Sequence, residues 1–292
     1  MLSIVYITMN RSCELIRSIL SCEEHISIEH EYVIVDNGST DSTEQDIANL
    51  DKALNIRYYK QEKNLGVAGG RNLGYRLAAG DVCYFIDDDA VVSTEGLILD
   101  KAYETIRNNE ELFAMSTNCF DTAKNCQVVG GFRRGEPFGK MGYVKGFTGF
   151  SHFIAKFRIS WDTLYPENII YGSEELYFAL NTFREGKKIL YFEPMCITHM
   201  PSQSTRNSPY WQKKNAYINT YVIKKYFVPS ALRWLSFLLF MGRALKNERG
   251  KIWRLPEYCR EVKARYDAQY QRRMRVKQMW ELIRLYGFMS SI

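Results

Sequence analysis

The sequence predicts an α/β protein: a mostly parallel sheet flanked by helices, followed by a basic helical C-terminal extension. Three observations predict it. Short apolar runs alternate with amphipathic stretches from residue 1 to about 118, the rhythm of βαβ units. Apolar residues make up 46% and charged residues 25% of the 292 positions, an ordinary globular composition that excludes a disordered or fibrous chain. The charge is divided: residues 1–202 carry 20 Lys and Arg against 28 Asp and Glu, a net −8, whereas residues 203–292 carry 19 against 5, a net +14. Opposite signs imply regions with different tasks, so a main domain is expected over 1–202 and a separate helical region over 203–292.

Strands are expected at 2–8 (LSIVYIT), 32–36 (YVIVD), 56–60 (IRYYK), 82–86 (VCYFI) and 112–116 (LFAMS). Helices fill the gaps at about 12–22, 42–50, 67–79 and 95–107. Ser39, Thr40 and Asp41 offer cap side chains ahead of the second helix, and Gly80 offers a C-cap before the fourth strand. Residues 119–172 are rich in Gly and aromatics without a clean period and read as irregular strands and loops. A helix near 174–185, stopped by Gly186, leads into the strand-like runs ILYFE and CITH.

Seven cysteines without a C-x-x-C pair argue against a disulfide framework or a cysteine zinc site and fit a reducing cytoplasm. The N-terminus lacks a basic n-region and reads as a strand, not a cleaved signal. The longest apolar candidate, Trp234 to Met241, is too short to span a bilayer.

Ligands of open α/β sheets bind beyond the carboxyl ends of the strands. Here those ends are polar: Thr8-Met9-Asn10-Arg11, then Asp36-Asn37-Gly38-Ser39-Thr40-Asp41, then Asp87-Asp88-Asp89. Three adjacent carboxylates repel one another unless a positive charge neutralises them. A hard divalent cation, Mg or Mn carrying substrate phosphates, would do so; a solvated acidic turn is the bland alternative. In Asn64-Leu65-Gly66-Val67-Ala68-Gly69-Gly70-Arg71-Asn72, small residues let backbone N–H groups approach an anion and Arg71 can pair with phosphate. The stretch matches neither G-x-G-x-x-G after a first strand nor the P-loop.

In order and spacing, VIVDNGSTD (33–41), NLGVAGGRNLG (64–74) and YFIDDD (84–89) resemble the family-two glycosyltransferases of the GT-A fold, which use nucleotide-activated sugars. The resemblance covers roughly residues 1–202, and implies a nucleotide-binding half to about 118 and an acceptor half over 119–202. It implies that Asp36 and the loop of Thr8, Asn10 and Arg11 hold the base, that Asp87 lies near the ribose, and that Asp88, Asn64, Gly66 and Arg71 complete the nucleotide site. Asp89, last of the DXD-type motif, would hold Mn or Mg on the diphosphate, with His199 as a second ligand. Glu174-Glu175 opens a helix where the family carries the base that deprotonates the acceptor hydroxyl, and Gly186 and Pro194 fall at the family's positions. Glu175 replaces the family's Asp, Tyr177 stands where a second acid is common, and Asn181 where Arg is common; these departures bear on the acceptor more than on the reaction type.

The stretch 146–152 (GFTGFSH) reads either as a sugar-binding floor or as core packing. The basic, aromatic tail suits an anionic cytoplasmic leaflet, where lipid-linked glycan acceptors reside; it carries no nucleic-acid module motif. The expected protein is a metal-dependent inverting glycosyltransferase, peripheral on the inner face of a bacterial membrane, joining a sugar from a nucleoside diphosphate to a glycan or lipid-linked acceptor. A sugar nucleotidyltransferase and a non-catalytic nucleotide-sugar or nucleic-acid binding module are the alternatives.

Overall fold

The structure is a computed structural model describing residues 1–50, 54–128, 131–161, 163–169, 172–201 and 208–292. It comprises two compact units, 1–164 with 187–203, and 165–186 with 204–292. The expected boundary at 202 to 203 lies outside the described residues. Residues 165–186, expected in the front domain, belong to the second unit.

The first unit contains β1 (Leu2–Thr8), α1 (Ser12–Glu23), β2 (His30–Asp36), α2 (Thr43–Ala48), β3 (Ile56–Lys60), α3 (Gly66–Leu77), β4 (Val82–Ile86), β5 (Ala90–Val92), α4 (Ile98–Asn108), β6 (Leu112–Asp121), β7 (Cys126–Val128), β8 (Gly142–Val144), β9 (Ser151–Ile154) and β10 (Lys188–His199). The strands join in the order β3-β2-β1-β4-β9-β6-β10-β5, with β7 on β6 and β8 on β10. Strands β1 to β4 are parallel neighbours, as are β6 and β10. Because β9 runs antiparallel to both β4 and β6, those two point the same way. The carboxyl ends of β1, β2, β4, β6 and β10 therefore share one rim.

Central parallel strands are covered on both faces and need near-continuous apolar runs; Leu2, Ile4, Val5, Tyr6, Tyr32, Val33, Ile34, Val35 and Val82 are fully buried. Helix α3 lies tight against β1 because its inward positions are glycines. A Cβ on Gly74 would stand 2.4 Å from Val5 Cγ1, and one on Gly70 2.9 Å from Ile7 Cγ2. These two glycines serve helix-to-sheet packing.

Three expectations change. Gly80 is not a helix cap: α3 ends at Leu77 with Ala78 extended, and Gly80 instead passes Met1 and Ser3 so closely that a Cβ would lie 2.7 Å from Met1 O. The two C-terminal runs form one strand, β10, whose register shifts between Phe192 and Cys196, around Pro194, which has no N–H for the ladder. The expected 112–116 strand extends to Asp121, and β7, β8 and β9 organise part of the irregular middle.

The second unit contains α5 (Glu175–Arg184), α6 (Pro209–Phe227), α7 (Arg233–Asn247), α8 (Leu255–Arg265), α9 (Val276–Tyr286) and α10 (Phe288–Ser291). Ile169, Tyr177 and Leu180 share its core with Ile218, Val222, Tyr226, Phe240, Tyr258 and Met279, the packing that draws α5 to the C-terminal helices. Tyr177 stands where an acid was looked for and is 2% exposed. Helix α7 uses Ser236, Phe240 and Ala244 inward, with Leu235 and Leu239 packed partly against the core. Trp234, Phe237 and Leu238 remain exposed. Among the described residues no helix is long and apolar enough to cross a membrane.

Candidate active site

At the shared rim, Thr8 ends β1 opposite Asp36 at the end of β2, and β4 runs directly into Asp87, Asp88 and Asp89. A turn closed by Ala90 N donating to Asp87 O at 3.1 Å divides the three acids. Asp88 turns to β1, its Oδ2 accepting from Thr8 Oγ1 at 2.7 Å and its Oδ1 from Arg11 Nη1 at 3.0 Å. Burial pushes the Asp88 carboxyl up to about 7, against the opposing pull of Arg11 and Thr8. Arg11 Nη1 also donates to Asp89 Oδ2 at 2.8 Å. Buried Arg71, on α3, donates to Asp87 Oδ1 at 3.0 Å and to Gly149 O at 2.9 Å.

Asp89 meets His199 through the sheet. Strand β5 begins at Ala90, which pairs antiparallel with His199, and Met200 N donates to Asp89 O at 2.8 Å. His199 Nε2 lies 3.2 Å from Asp89 Oδ1. Asp87, Asp89 and His199 each offer one ligand atom, all within 4.8 Å of one another. Two carboxylates suit Mn or Mg, and the imidazole, a softer nitrogen donor, favours Mn of the two, so the donor set fits the expected divalent cation. Asp87, which the resemblance assigns near the ribose, thus shares a cluster with the two expected ligands. Burial works against both charges, yet the His199 hydrogen bond and Arg11 leave the Asp89 carboxyl below the usual range. Burial likewise lowers His199, but Asp89, Asp87 and Asp121 outweigh it and raise the imidazole.

The other expected nucleotide residues shape the loops of this rim. Asp36 is fully buried; its Oδ1 accepts Ser39 N at 2.7 Å and its Oδ2 accepts the Tyr58 hydroxyl. Asn10, at φ +56°, ties the first loop to the second, its N donating to Ser39 Oγ at 2.9 Å and its Oδ1 accepting Thr40 N at 2.8 Å. Asn64 Oδ1 accepts the Gly66 amide at 2.7 Å. In the 146–152 stretch, His152 is buried between Phe147 and Phe85 of β4, with ring centroids 4.2 and 5.1 Å away, so Phe147 serves packing there. Phe150 lies flat on His199, 4.2 Å away at 6°.

Glu174 and Glu175 belong to the second unit. Gly172 at φ +91° and Ser173 at +73° turn the chain into α5, and Asn219 Nδ2 holds this turn by donating to Gly172 O at 2.7 Å. Glu174 is 4% exposed, whereas Glu175 is half-buried. A residue absent from the sequence reading is Asp121, at the carboxyl end of β6 and opposite His199 in register. Ser116-Thr117-Asn118 interrupt the apolar run before it, and only the pairing of β6 with β10 brings it to His199.

The sequence profile of glycosyl transferase family 2 matches residues 3–160, more than half of the chain. An uncharacterized glycosyltransferase of Haemophilus influenzae is 33% identical over 98 residues, spanning 33% of this chain and 39% of that protein. The uncharacterized glycosyltransferase YfnE of Bacillus subtilis is 28% identical over 111 residues, 38% of this chain and 28% of its own length. The chain thus matches well under half the length of these relatives. Among solved structures, GalNAc-T7 with UDP, GalNAc and Mn2+ superposes with TM-score 0.65 at 14% identity, covering 92% of this chain and 55% of that one. Staphylococcus aureus TarS 1–349 with UDP gives 0.65 at 16% identity, covering 90% and 79%. A mannosyltransferase of Pyrobaculum calidifontis with GDP-Man and Mn2+ gives 0.58 at 13% identity, covering 90% and 74%. At such identities the likeness is one of fold.

Proposed function

The chain belongs to glycosyl transferase family 2, and on that premise we propose that it is a metal-dependent inverting glycosyltransferase. It moves a sugar from a nucleoside diphosphate to a hydroxyl of a glycan or lipid-linked glycan, in bacterial surface polysaccharide synthesis. The observation that carries this reading is the cluster of Asp87, Asp89 and His199 at the sheet rim, with Arg11 and Arg71 bonded to its carboxylates. The UDP, GDP-Man and Mn2+ of the solved neighbours support a nucleotide-sugar donor and a divalent cation.

Asp89 and His199, with Asp87, would hold the cation, which would supply positive charge to offset that of the diphosphate. The residues of this chain do the rest. Thr8, Asn10, Arg11, Asp36 and Asn64 frame the nucleotide, while Arg11 and Arg71 are the guanidinium donors for phosphate oxygens. Glu175 takes the acceptor proton as the acceptor oxygen bonds to the anomeric carbon and the bond from that carbon to the diphosphate oxygen breaks. Single displacement inverts the configuration. Half-exposure of Glu175 beside buried Glu174 supports the choice between them.

For the C-terminal helices we propose contact with an anionic membrane surface, supported by the net +14 of residues 203–292 and the exposed Trp234, Phe237 and Leu238 of α7. Leu235 and Leu239 of the same apolar run pack against the core and are not part of this exposed face.

The test is a panel of nucleotide sugars incubated with the protein in Mn, scoring binding and slow hydrolysis. A single nucleotide sugar should be bound and hydrolysed to its nucleoside diphosphate. Release of pyrophosphate from a nucleoside triphosphate and sugar phosphate would indicate a nucleotidyltransferase instead, and binding with no turnover a non-catalytic module.

A further inference from the structure

We infer that Asp121 and Phe150 are positioning residues for His199: together they fix the imidazole so that Nε2 is presented to the cation site. The inference rests on the metal reading above and goes beyond the ligands themselves. His199 is gripped on several sides. Its backbone is fixed by β5 through Ala90 and by Thr122, whose N and Oγ1 both donate to His199 O at 3.0 Å. The ring is covered by Phe150 at 4.2 Å and 6°. Nδ1 faces Asp121 Oδ2 at 3.5 Å, across a carboxylate side chain that is 1% exposed.

Asp121 is itself held. Its Oδ1 accepts Ala123 N at 3.0 Å and Lys124 N at 3.1 Å, and its Oδ2 lies 3.0 Å from Lys124 Nζ. Asp121 is thus oriented by a tight turn, and its Oδ2 lies between Lys124 Nζ and the ring. A neutral imidazole has one N–H, and the nitrogen that carries it is set by the partner the ring finds. With carboxylates on both sides of the ring, Asp89 3.2 Å from Nε2 and Asp121 3.5 Å from Nδ1, a cation that takes the Nε2 lone pair leaves the one N–H of a neutral ring on Nδ1, where Asp121 is the carboxylate that faces it. The same relation makes a histidine ligand more basic and lowers the entropy lost when it binds a metal. Phe150 then restricts rotation about the remaining ring torsion.

The test is a titration of the full chain with Mn2+ alone, followed by calorimetry. Asp121→Asn keeps the Oδ1 acceptor of the turn and removes the charge facing Nδ1; Mn affinity should fall by about 10- to 100-fold, the range for lost outer-shell partners. In a His199→Gln background the same substitution should change nothing further, because the effect passes through His199. Phe150→Leu, at a half-buried loop position, keeps an apolar side chain against the core and should weaken Mn binding by a smaller factor and be equally silent without His199. Should Asp121→Asn fail to fold, Phe150→Leu carries the test. Unchanged Mn affinity in the substituted proteins, or an equal loss with and without His199, would overturn the inference. Absence of Mn binding by the unsubstituted protein would instead overturn the metal reading on which it rests.

Discussion

His199 Nε2 stands 3.2 Å from Asp89 Oδ1 because Ala90, the next residue after Asp89, is the register partner of His199. A three-residue strand, β5, folds the acidic run back along the end of β10. The site therefore depends on sheet register as much as on residue type, since a one-residue slip would send His199 to the opposite face.

The three adjacent acids should behave differently. Asp89→Asn removes a ligand and should weaken Mn binding by more than the roughly 100-fold upper range for an outer-shell partner. Asp88→Asn, whose partners are Thr8 and Arg11, should leave Mn affinity within a few-fold. Calorimetric titration of both variants checks this, and equal losses would mean that the division of the acids is wrong.

Glu175→Gln keeps the shape of the side chain and removes its basicity. Transfer should fall by about 10² or more, the scale of a lost acid or base, with donor affinity held within a few-fold. Single-turnover kinetics beside donor titration measures both. A crippled Glu174→Gln with an active Glu175→Gln would move the base by one residue.

Gly74→Ala tests the helix-to-sheet seat. With the new Cβ only 2.4 Å from Val5 Cγ1, the strand or helix must shift, at a cost of about 1–3 kcal/mol as for other overpacked sites. The better helix propensity of Ala offsets less than about 1 kcal/mol of this. Urea unfolding reads the difference, and unchanged stability would show that the seat is looser than the structure has it.

Exposed apolar residues on α7 lead to a vesicle experiment. The protein should float with vesicles containing phosphatidylglycerol and much less with pure phosphatidylcholine, and salt should weaken the association without abolishing it. Trp234→Ala with Leu238→Ser should remove most of the salt-resistant part, at roughly 25 cal/mol for each Å² of apolar surface lost. No flotation at low salt, or tight duplex DNA binding with none to vesicles, would contradict the membrane reading.

How far the sequence reaches is set by the range of the interactions involved. β1 and β4 are legible residue for residue because buried parallel strands require apolar runs that nothing nearby competes with. Gly186 was readable as a helix stop for the same local reason, and it adopts φ +73°. Asp121 was not, because only β6 to β10 pairing brings it to His199, and that pairing crosses a bulge at Pro194. The membership of α5 in the second unit was hidden too: it depends on Tyr177 and Leu180 meeting Ile218 and Tyr226, contacts between distant segments. Tyr177 read as a missing acid, whereas its ring fills a core.

The central claim is that the Asp87, Asp89 and His199 cluster binds a nucleoside diphosphate through a divalent cation. Calorimetric titration of uridine and guanosine diphosphates into the protein, with Mn and with EDTA, for the unsubstituted chain and for Asp89→Ala, tests it most directly. The account predicts binding of one of them that is strong in Mn, much weaker in EDTA, and insensitive to Mn in Asp89→Ala. Equal affinity with and without Mn in the unsubstituted protein, or a full Mn effect surviving in Asp89→Ala, would contradict it.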